Sequence, residues 1–252
     1  MPTHQDMSDA IDFALGETVG GTLKHDLSKT FNQRKSKNDR GPAHVSNQRD
    51  TPPLAPEQQV SRLEYFGVSV SVTDITSTLS GLFGKAPADE AKLYNLLKHS
   101  KRIQQDFHVT LIHRASASQH GDIWGNYINA FLQAQQDFKA DAKTMVPTLG
   151  RARLRLERVV WDERIMAFVV RILPIENSNA GIAAGAQWQC ANATPHITVG
   201  TASQNVKPKE ANDLLEFWMA GQEGPGGKIW DKEVPGVKIL KGTVKPVMQR
   251  GR

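Results

Sequence analysis

The chain has little of what builds disulfide-linked, membrane-spanning or secreted proteins. Its single cysteine, Cys190, excludes a disulfide framework and a metal site made of several thiolates. No apolar run approaches the roughly 18 residues that suggest a transmembrane helix. Residues 1–8 are polar and lack the apolar core of a secretory signal. We therefore expect an intracellular protein with no membrane partner, in the nucleus or the cytoplasm.

The remaining composition is that of a globular protein. The chain has 252 residues, which is enough to bury a sizeable core. Hydrophobic residues make up 39% and charged residues 23%, as in ordinary folded domains. The net charge of +5 allows a polyanionic partner such as a nucleic acid but does not require one.

The two ends of the chain differ from its middle. Residues 1–60 are polar, carry nearly balanced charges and end in a proline cluster, which is typical of a linker or a disordered arm. Within this arm the stretch from Met7 to Leu15 is compatible with a short helix. Residues 61–245 read as one folded domain, and residues 246–252 as a basic tail.

Hydrophobic periodicity predicts that this domain belongs to the α+β class. Apolar residues alternate in the predicted strands and recur every three or four positions in the predicted helices, in the order β-α-β-α-ββ-β-α-β. The predicted elements are a strand at 63–72, a helix at 87–100, a strand at 106–113, a helix at 124–141, a hairpin with arms at 154–161 and 164–173, a strand at 194–200, a helix at 208–219 and a strand at 237–244.

Two of the predicted strands carry the same short string, a histidine and a threonine separated by one apolar residue. The copies are His108-Val109-Thr110 and His196-Ile197-Thr198. Side chains alternate along a strand, so the histidine and threonine of each copy point to one side and the apolar residue points to the other. A single copy is weak evidence, whereas two copies in two strands indicate a shared site.

The residue types in the paired strings suit work on a phosphodiester. Histidine titrates near neutral pH, so one copy can act as a base while the other acts as an acid. Threonine hydroxyls can donate hydrogen bonds to the non-bridging oxygens of a phosphate. This scheme needs no metal, and neither a metal nor another cofactor is expected.

The paired strings resemble the signature of the 2H phosphoesterase superfamily. The flanking segments Phe107–Arg114, Arg155–Asp162 and Pro195–Thr201 are similar to the cyclic phosphodiesterase domain of fungal tRNA ligases. The resemblance covers roughly residues 60–245. It implies a fold of two lobes, in which antiparallel sheets with helices outside them face each other across a cleft.

The resemblance also implies a reaction and a role for each residue. The reaction is the metal-independent hydrolysis of 2′,3′-cyclic phosphate ends of tRNA exons to a 2′-phosphate and a 3′-hydroxyl during tRNA splicing. By the resemblance, His196 is the base that activates water and His108 is the acid that protonates the 3′-oxygen. Thr110 and Thr198 hold the phosphate.

Other functions stay open on the residues alone. One is an enzyme of the same superfamily that acts on another cyclic phosphate or nucleotide, and another is a non-catalytic RNA-binding module of the same fold. The chain has neither a Gly-x-x-x-x-Gly-Lys-Ser/Thr phosphate loop nor a lysine motif for nucleotidyl transfer. We therefore expect the kinase and ligase modules in a longer protein, unless the chain is a free-standing paralogue.

Several further residues are weaker candidates for substrate binding. Arg114 lies an even number of residues after His108 and is predicted to reach the substrate phosphate if the strand extends that far. Trp188, in a loop rich in glycine, alanine and asparagine, is predicted to stack on a terminal base. His113 lies an odd number of residues after His108 and is predicted on the opposite face. Three arginines that share a strand face suit either an RNA backbone or solvent: Arg151, Arg153 and Arg155.

Overall fold

The computed structural model describes residues 56–137, 147–175 and 185–249. In these ranges six antiparallel strands close into one sheet in the order β1, β2, β5, β4, β3, β6. The strands are β1 (Leu63–Val70), β2 (Phe107–His113), β3 (Gly150–Trp161), β4 (Ile165–Ile172), β5 (His196–Thr201) and β6 (Trp230–Met248). The helices are α1 (Pro56–Ser61), α2 (Val72–Phe83), α3 (Lys92–His99), α4 (Gly121–Asp137) and α5 (Ala211–Met219), with 3₁₀ turns at Arg114–Ser116 and Pro208–Glu210.

One face of the sheet is covered by the main hydrophobic core. In β1 the alternate residues Phe66 and Val68 are completely buried, as the period of two requires. Helices α2, α3 and α4 contribute Leu79, Leu97 and Phe131 to the same cluster. The residues between the buried ones on β1 and β2 point to the opposite face, which we call the site surface.

Helix α2 was not predicted from the sequence, because the alternation of apolar residues continues as far as Val72. The helix begins after Ser71, whose hydroxyl accepts a hydrogen bond from the backbone N–H of Asp74 at 3.3 Å. A serine at this position satisfies an otherwise unpaired donor in the first turn of a helix. Ile75 and Leu79 lie four residues apart, and both are fully buried.

The predicted hairpin is confirmed as β3 and β4, although its turn has no glycine. The Asp162 carboxylate accepts hydrogen bonds from the backbone N–H groups of Arg164 at 2.7 Å and Ile165 at 2.9 Å. Asp162 is only 2% exposed. The Asp162 side chain therefore stabilises the turn, which does not need the backbone freedom of a glycine.

Helix α5 covers part of the site surface. A second hydrophobic cluster joins Ala167 and Val169 of β4 to Leu214 and Leu215 of α5. β4 is consequently buried on both faces from Ile165 to Val170, which explains why this part of its sequence is continuously apolar instead of alternating. The helix forms a wall beside β5, because Ala167 and Val169 pair with Thr198 and His196.

The α+β class is confirmed, and two details of the expected architecture change. The two facing sheets are not confirmed: β2 pairs with β5, and both β1 and β3 pair with β6, so all six strands belong to one closed sheet. Residues 246–248, predicted in the basic tail, are the end of β6 and pair with β1. Residues 1–55 of the predicted arm, with the helix at 7–15, lie outside the described residues.

Candidate active site

The structure brings the two His-x-Thr strings together on adjacent strands. β2 and β5 are antiparallel and pair at Val109 and Ile197. One step along this register, His108 lies opposite Thr198, and Thr110 lies opposite His196. The two imidazoles and two hydroxyls therefore form a diagonal set of four on the site surface. Each histidine has a hydroxyl beside it on its own strand and another across the ladder.

The environment of His196 fixes the position of its proton. The side chain is buried, with only 8% of the residue exposed. Its Nδ1 lies 2.9 Å from the backbone carbonyl oxygen of Thr194. Because a carbonyl oxygen only accepts hydrogen bonds, Nδ1 must carry the proton. In the neutral imidazole, Nε2 is then the atom with a free lone pair.

His108 is held by an aromatic stack. The Tyr65 ring lies 5.1 Å from the His108 ring, centroid to centroid, with 25° between the planes. Gly67 lies between them on the surface of β1, and a Cβ atom there would stand 3.2 Å from Cε2 of Tyr65 and 2.9 Å from the carbonyl oxygen of Val109. Because glycine has no side chain, the Tyr65 ring can occupy the space above Gly67.

Both histidines are biased toward the neutral form. Burial lowers the pKa of His108, and a positive charge on His196 lowers it further. Asp106 acts in the opposite direction, and Lys245 adds a small lowering effect. Burial also lowers the pKa of His196, with partial compensation from its hydrogen bond to Thr194. The two imidazoles are therefore close enough for their charges to interact.

The turn that leads into α5 borders one side of the four histidine and threonine side chains. The hydroxyl of Thr198 donates to the backbone carbonyl of Pro208 at 3.4 Å, at the start of the turn that leads into α5. On the other side, the ladder continues from His108 to Ser69 of β1 and from there to Thr243 of β6. Serine and threonine have short side chains, so they leave open space beside His108 on this side.

Arg114 does not lie beside the histidines. β2 ends at His113, and Arg114 begins a 3₁₀ turn. Its guanidinium donates a hydrogen bond to the backbone carbonyl of Ser61, which precedes β1. His108 pairs with Ser69 at the other end of β1. The condition for the predicted phosphate contact, a strand that continues through Arg114, is thus not met.

Trp188 is a core residue and does not present a ring face to a ligand. It is 2% exposed, and its indole N–H donates to the backbone carbonyl of Arg151 at 3.0 Å. Its ring stacks on Tyr127 of α4 at 6.0 Å. The structure gives no support to the prediction that Trp188 stacks on a base: the composition of the loop suggested an exposed residue, whereas the side chain is fully enclosed.

His113 lies on the site surface, contrary to the odd-step prediction. Phe66 pairs with Ile112 and Gly67 pairs with Thr110, so Leu111 has no partner on β1. This β-bulge inserts one residue, and both Leu111 and Ile112 point into the core. The alternation resumes one residue late, which places the exposed His113 ring 6.2 Å from the Tyr65 ring.

Tyr65 and Lys245 are neighbours of the histidines that were not identified from the sequence. Lys245 pairs with Gly67, which in turn pairs with Thr110. The alternation that predicted Phe66 and Val68 to be buried also puts Tyr65 on the other face. Local periodicity could not show that β1 pairs with β2 and β6, and this pairing is what places Tyr65 and Lys245 near the histidines.

The parts of the chain that the structure describes contain no cluster suited to a metal ion. No group of three or more histidine, cysteine, aspartate or glutamate side chains in these ranges is arranged to hold one. Among the helices of the same ranges, none is long and apolar enough to cross a membrane.

Comparison with known proteins identifies the family. The profile described as the fungal tRNA ligase phosphodiesterase domain matches residues 1–248. The chain belongs to this family, as the motifs and their flanking segments suggested. tRNA ligase 1 of Schizosaccharomyces pombe is 26% identical over 98% of this chain and 28% of that protein. The chain thus spans less than a third of the length of this relative.

A solved structure shares the fold. The crystal structure of a fungal RNA kinase superposes with a TM-score of 0.55 and 17% sequence identity. The match covers 84% of this chain and 50% of that one. At this identity the likeness concerns the fold alone.

Proposed function

We propose that this domain hydrolyses the 2′,3′-cyclic phosphate at the end of an RNA and leaves a 2′-phosphate and a 3′-hydroxyl. The observation that carries the proposal is the pairing of β2 with β5, which sets two imidazoles and two hydroxyls side by side. Family membership supports it, because the family is described as a phosphodiesterase domain of tRNA ligase. The substrate in this proposal is a tRNA exon end, and the reaction prepares it for ligation.

His196 acts as the base in this proposal. Its Nδ1 proton is engaged by the carbonyl of Thr194, so Nε2 is free to accept a proton from water. The water oxygen then forms a bond to phosphorus while its proton passes to His196. The lowered pKa of His196 keeps the imidazole neutral before the reaction, as a base requires.

His108 acts as the acid and protonates the leaving 3′-oxygen as its bond to phosphorus breaks. The bond from phosphorus to the 2′-oxygen stays intact, which gives the 2′-phosphate. Thr110 donates a hydrogen bond to a non-bridging oxygen, where negative charge accumulates. Thr198 donates to the other one after its hydroxyl turns away from the backbone carbonyl of Pro208. His196 ends the step protonated and His108 ends it neutral, and proton exchange with solvent restores both.

The domain acts in this proposal as one module of a longer ligase. The relative that it matches is named a tRNA ligase, and the chain aligns with 28% of it. We place the kinase and ligase steps in other parts of such a protein. The four residues that act on the phosphate in this proposal all lie on β2 and β5.

The experiment is hydrolysis of an RNA oligonucleotide that ends in a 2′,3′-cyclic phosphate, with excess EDTA. His108→Ala and His196→Ala should each lower the rate by roughly a hundredfold to ten-thousandfold. Thr110→Ala and Thr198→Ala should each lower it by about tenfold to a hundredfold, as expected for a hydrogen bond to a charged group. His99→Ala is the matched control, because His99 is an exposed histidine on α3.

Product analysis separates the outcomes. A 2′-phosphate product whose formation resists EDTA and requires both histidines would support the proposal. A 3′-phosphate product would mean that the other phosphorus–oxygen bond breaks, which contradicts the assigned leaving group. If the folded wild-type domain binds the RNA without turnover, we would conclude that it is a non-catalytic RNA-binding module.

A further inference from the structure

We propose that the RNA strand leading to the cyclic phosphate crosses β1 and β6 and lies against a basic strip of Arg151, Arg153, Lys241 and Lys245. The inference rests on the proposed function for the identity of the strand's end. It adds the path of the RNA backbone and the residues that contact its phosphates.

The ladder places the basic strip on the same face as the histidines. His108 pairs with Ser69, Ser69 with Thr243, and Thr243 with Arg151. Directly paired residues share a face of the sheet. Arg151 is three strands from His108, so their Cα atoms are separated by no more than about 14 Å at the usual spacing between strands.

Two more pairings complete the strip. Lys245 pairs with Gly67, the partner of Thr110, and Lys241 pairs with Arg153. The cations thus begin one strand away from β1 and continue along β6 and β3. Backbone phosphates of an extended strand that ends at His108 would meet these side chains in succession.

Three cations of the strip are available to a ligand. Arg151, Lys241 and Lys245 are exposed, and none of them forms an ion pair with another residue of the described ranges. The nearest acid along β3, Glu157, is already engaged by Arg155 at 2.7 Å and by Arg171 at 2.8 Å. A phosphate would therefore gain charge-assisted contacts without displacing a carboxylate from Arg151, Lys241 or Lys245.

The opposite direction is less suitable for RNA. Beyond His196 and Thr198 the surface of β4 is covered by α5, and its residues there are the apolar Ala167 and Val169. An RNA strand that left the histidines on that side would meet a packed helix. The strip on β3 and β6 is the side where both space and positive charge are present.

The test compares a double variant, Arg151→Ala with Lys241→Ala, with a control that loses the same charge. The control is Lys85→Ala with Lys98→Ala, two exposed lysines placed after α2 and on α3. Binding of a fluorescent single-stranded RNA with a 3′-hydroxyl is followed by anisotropy from about 50 to 200 mM salt. Hydrolysis is measured on adenosine 2′,3′-cyclic phosphate and on an oligonucleotide with the same end.

The strip variant should bind the RNA about tenfold more weakly, and the slope of log K against log salt should fall by about 1.4, or 0.7 for each cation removed. Its kcat/KM should fall by a similar factor on the oligonucleotide and stay unchanged on the mononucleotide. The control should match wild type in each assay.

Two results would overturn the inference. One is unchanged RNA binding and salt slope in the strip variant, and the other is an equal loss of kcat/KM on both substrates. If wild type hydrolyses neither substrate, the proposed function fails, but the binding data still decide the path of the RNA. Thermal unfolding of each variant checks that the fold is intact.

Discussion

The contact between Tyr65 and His108 gives a sharp prediction for catalysis. Tyr65→Ala removes the ring that stacks on the imidazole at 5.1 Å. The stack restricts the orientation of His108 and keeps water from one side of it. We expect the variant to fold, since Tyr65 is only partly buried and lies outside the hydrophobic core.

The magnitude follows from the geometry of the stack. Aromatic pairs at this separation contribute about 0.5–1.5 kcal/mol beyond the area that they bury. If this energy holds His108 in its reactive orientation, its loss lowers kcat/KM by about two- to tenfold. A second effect concerns the pKa of His108, for which burial is the largest lowering cause. Removal of the ring exposes the imidazole, so this pKa should rise toward its ordinary value.

The assay is the pH profile of kcat/KM on an RNA end with a cyclic phosphate. Tyr65→Ala should lower the maximum and move the high-pH limb to higher pH, because His108 stays protonated for longer. Tyr65→Phe keeps the ring and should retain the position of the limb. An alanine variant with the wild-type maximum and an unmoved limb would refute a positioning role for Tyr65.

Four further predictions concern titration and stability. Both lowered histidine pKa values place the optimum of the wild-type kcat/KM profile below pH 6.5, the ordinary pKa of histidine. The same shifts mean that the unfolded chain binds more protons than the folded one just below pH 6.5. The free energy of unfolding should therefore be highest above that pH and fall as the pH drops toward the folded-state pKa values, by at most about 1.4 kcal/mol per pH unit for each histidine. Gly226→Ala should lower the free energy of unfolding by about 1–3 kcal/mol, because its Cβ would collide with the Asp162 carboxylate that closes the hairpin turn. Gly81→Ala, in open space within α2, should raise it by about 0.5–1 kcal/mol.

Urea unfolding measures the stability predictions. For the pH dependence, a variant with His108→Asn and His196→Asn is the comparison, and it should lose less stability than wild type between about pH 7.5 and 5.5. Equal losses in both proteins would contradict the assignment of the lowered pKa values. For the hairpin, a Gly226→Ala variant as stable as wild type would show that Asp162 finds another position at no cost. A Gly81→Ala variant no more stable than wild type would contradict the prediction for α2.

The sequence by itself determined which kind of element holds the two His-x-Thr strings, and it predicted that they form one site. Side chains alternate between the two faces of any strand, so the face of each residue in His108-Val109-Thr110 and His196-Ile197-Thr198 follows from local sequence alone. The structure has both strings in strands. The hairpin and the α+β class follow from the same local patterns. The flanking segments were enough to indicate the family.

Only the tertiary structure decided which elements are neighbours. The pairing of β2 with β5 joins residues far apart in the chain, and no local pattern encodes it. The bulge at Leu111 reversed the predicted face of His113, because one inserted residue shifts every later side chain to the other surface. Trp188 is in a loop whose composition suggests exposure, yet packing against Tyr127 buries it. Local periodicity thus places side chains on a face, whereas long-range pairing and packing decide what that face meets.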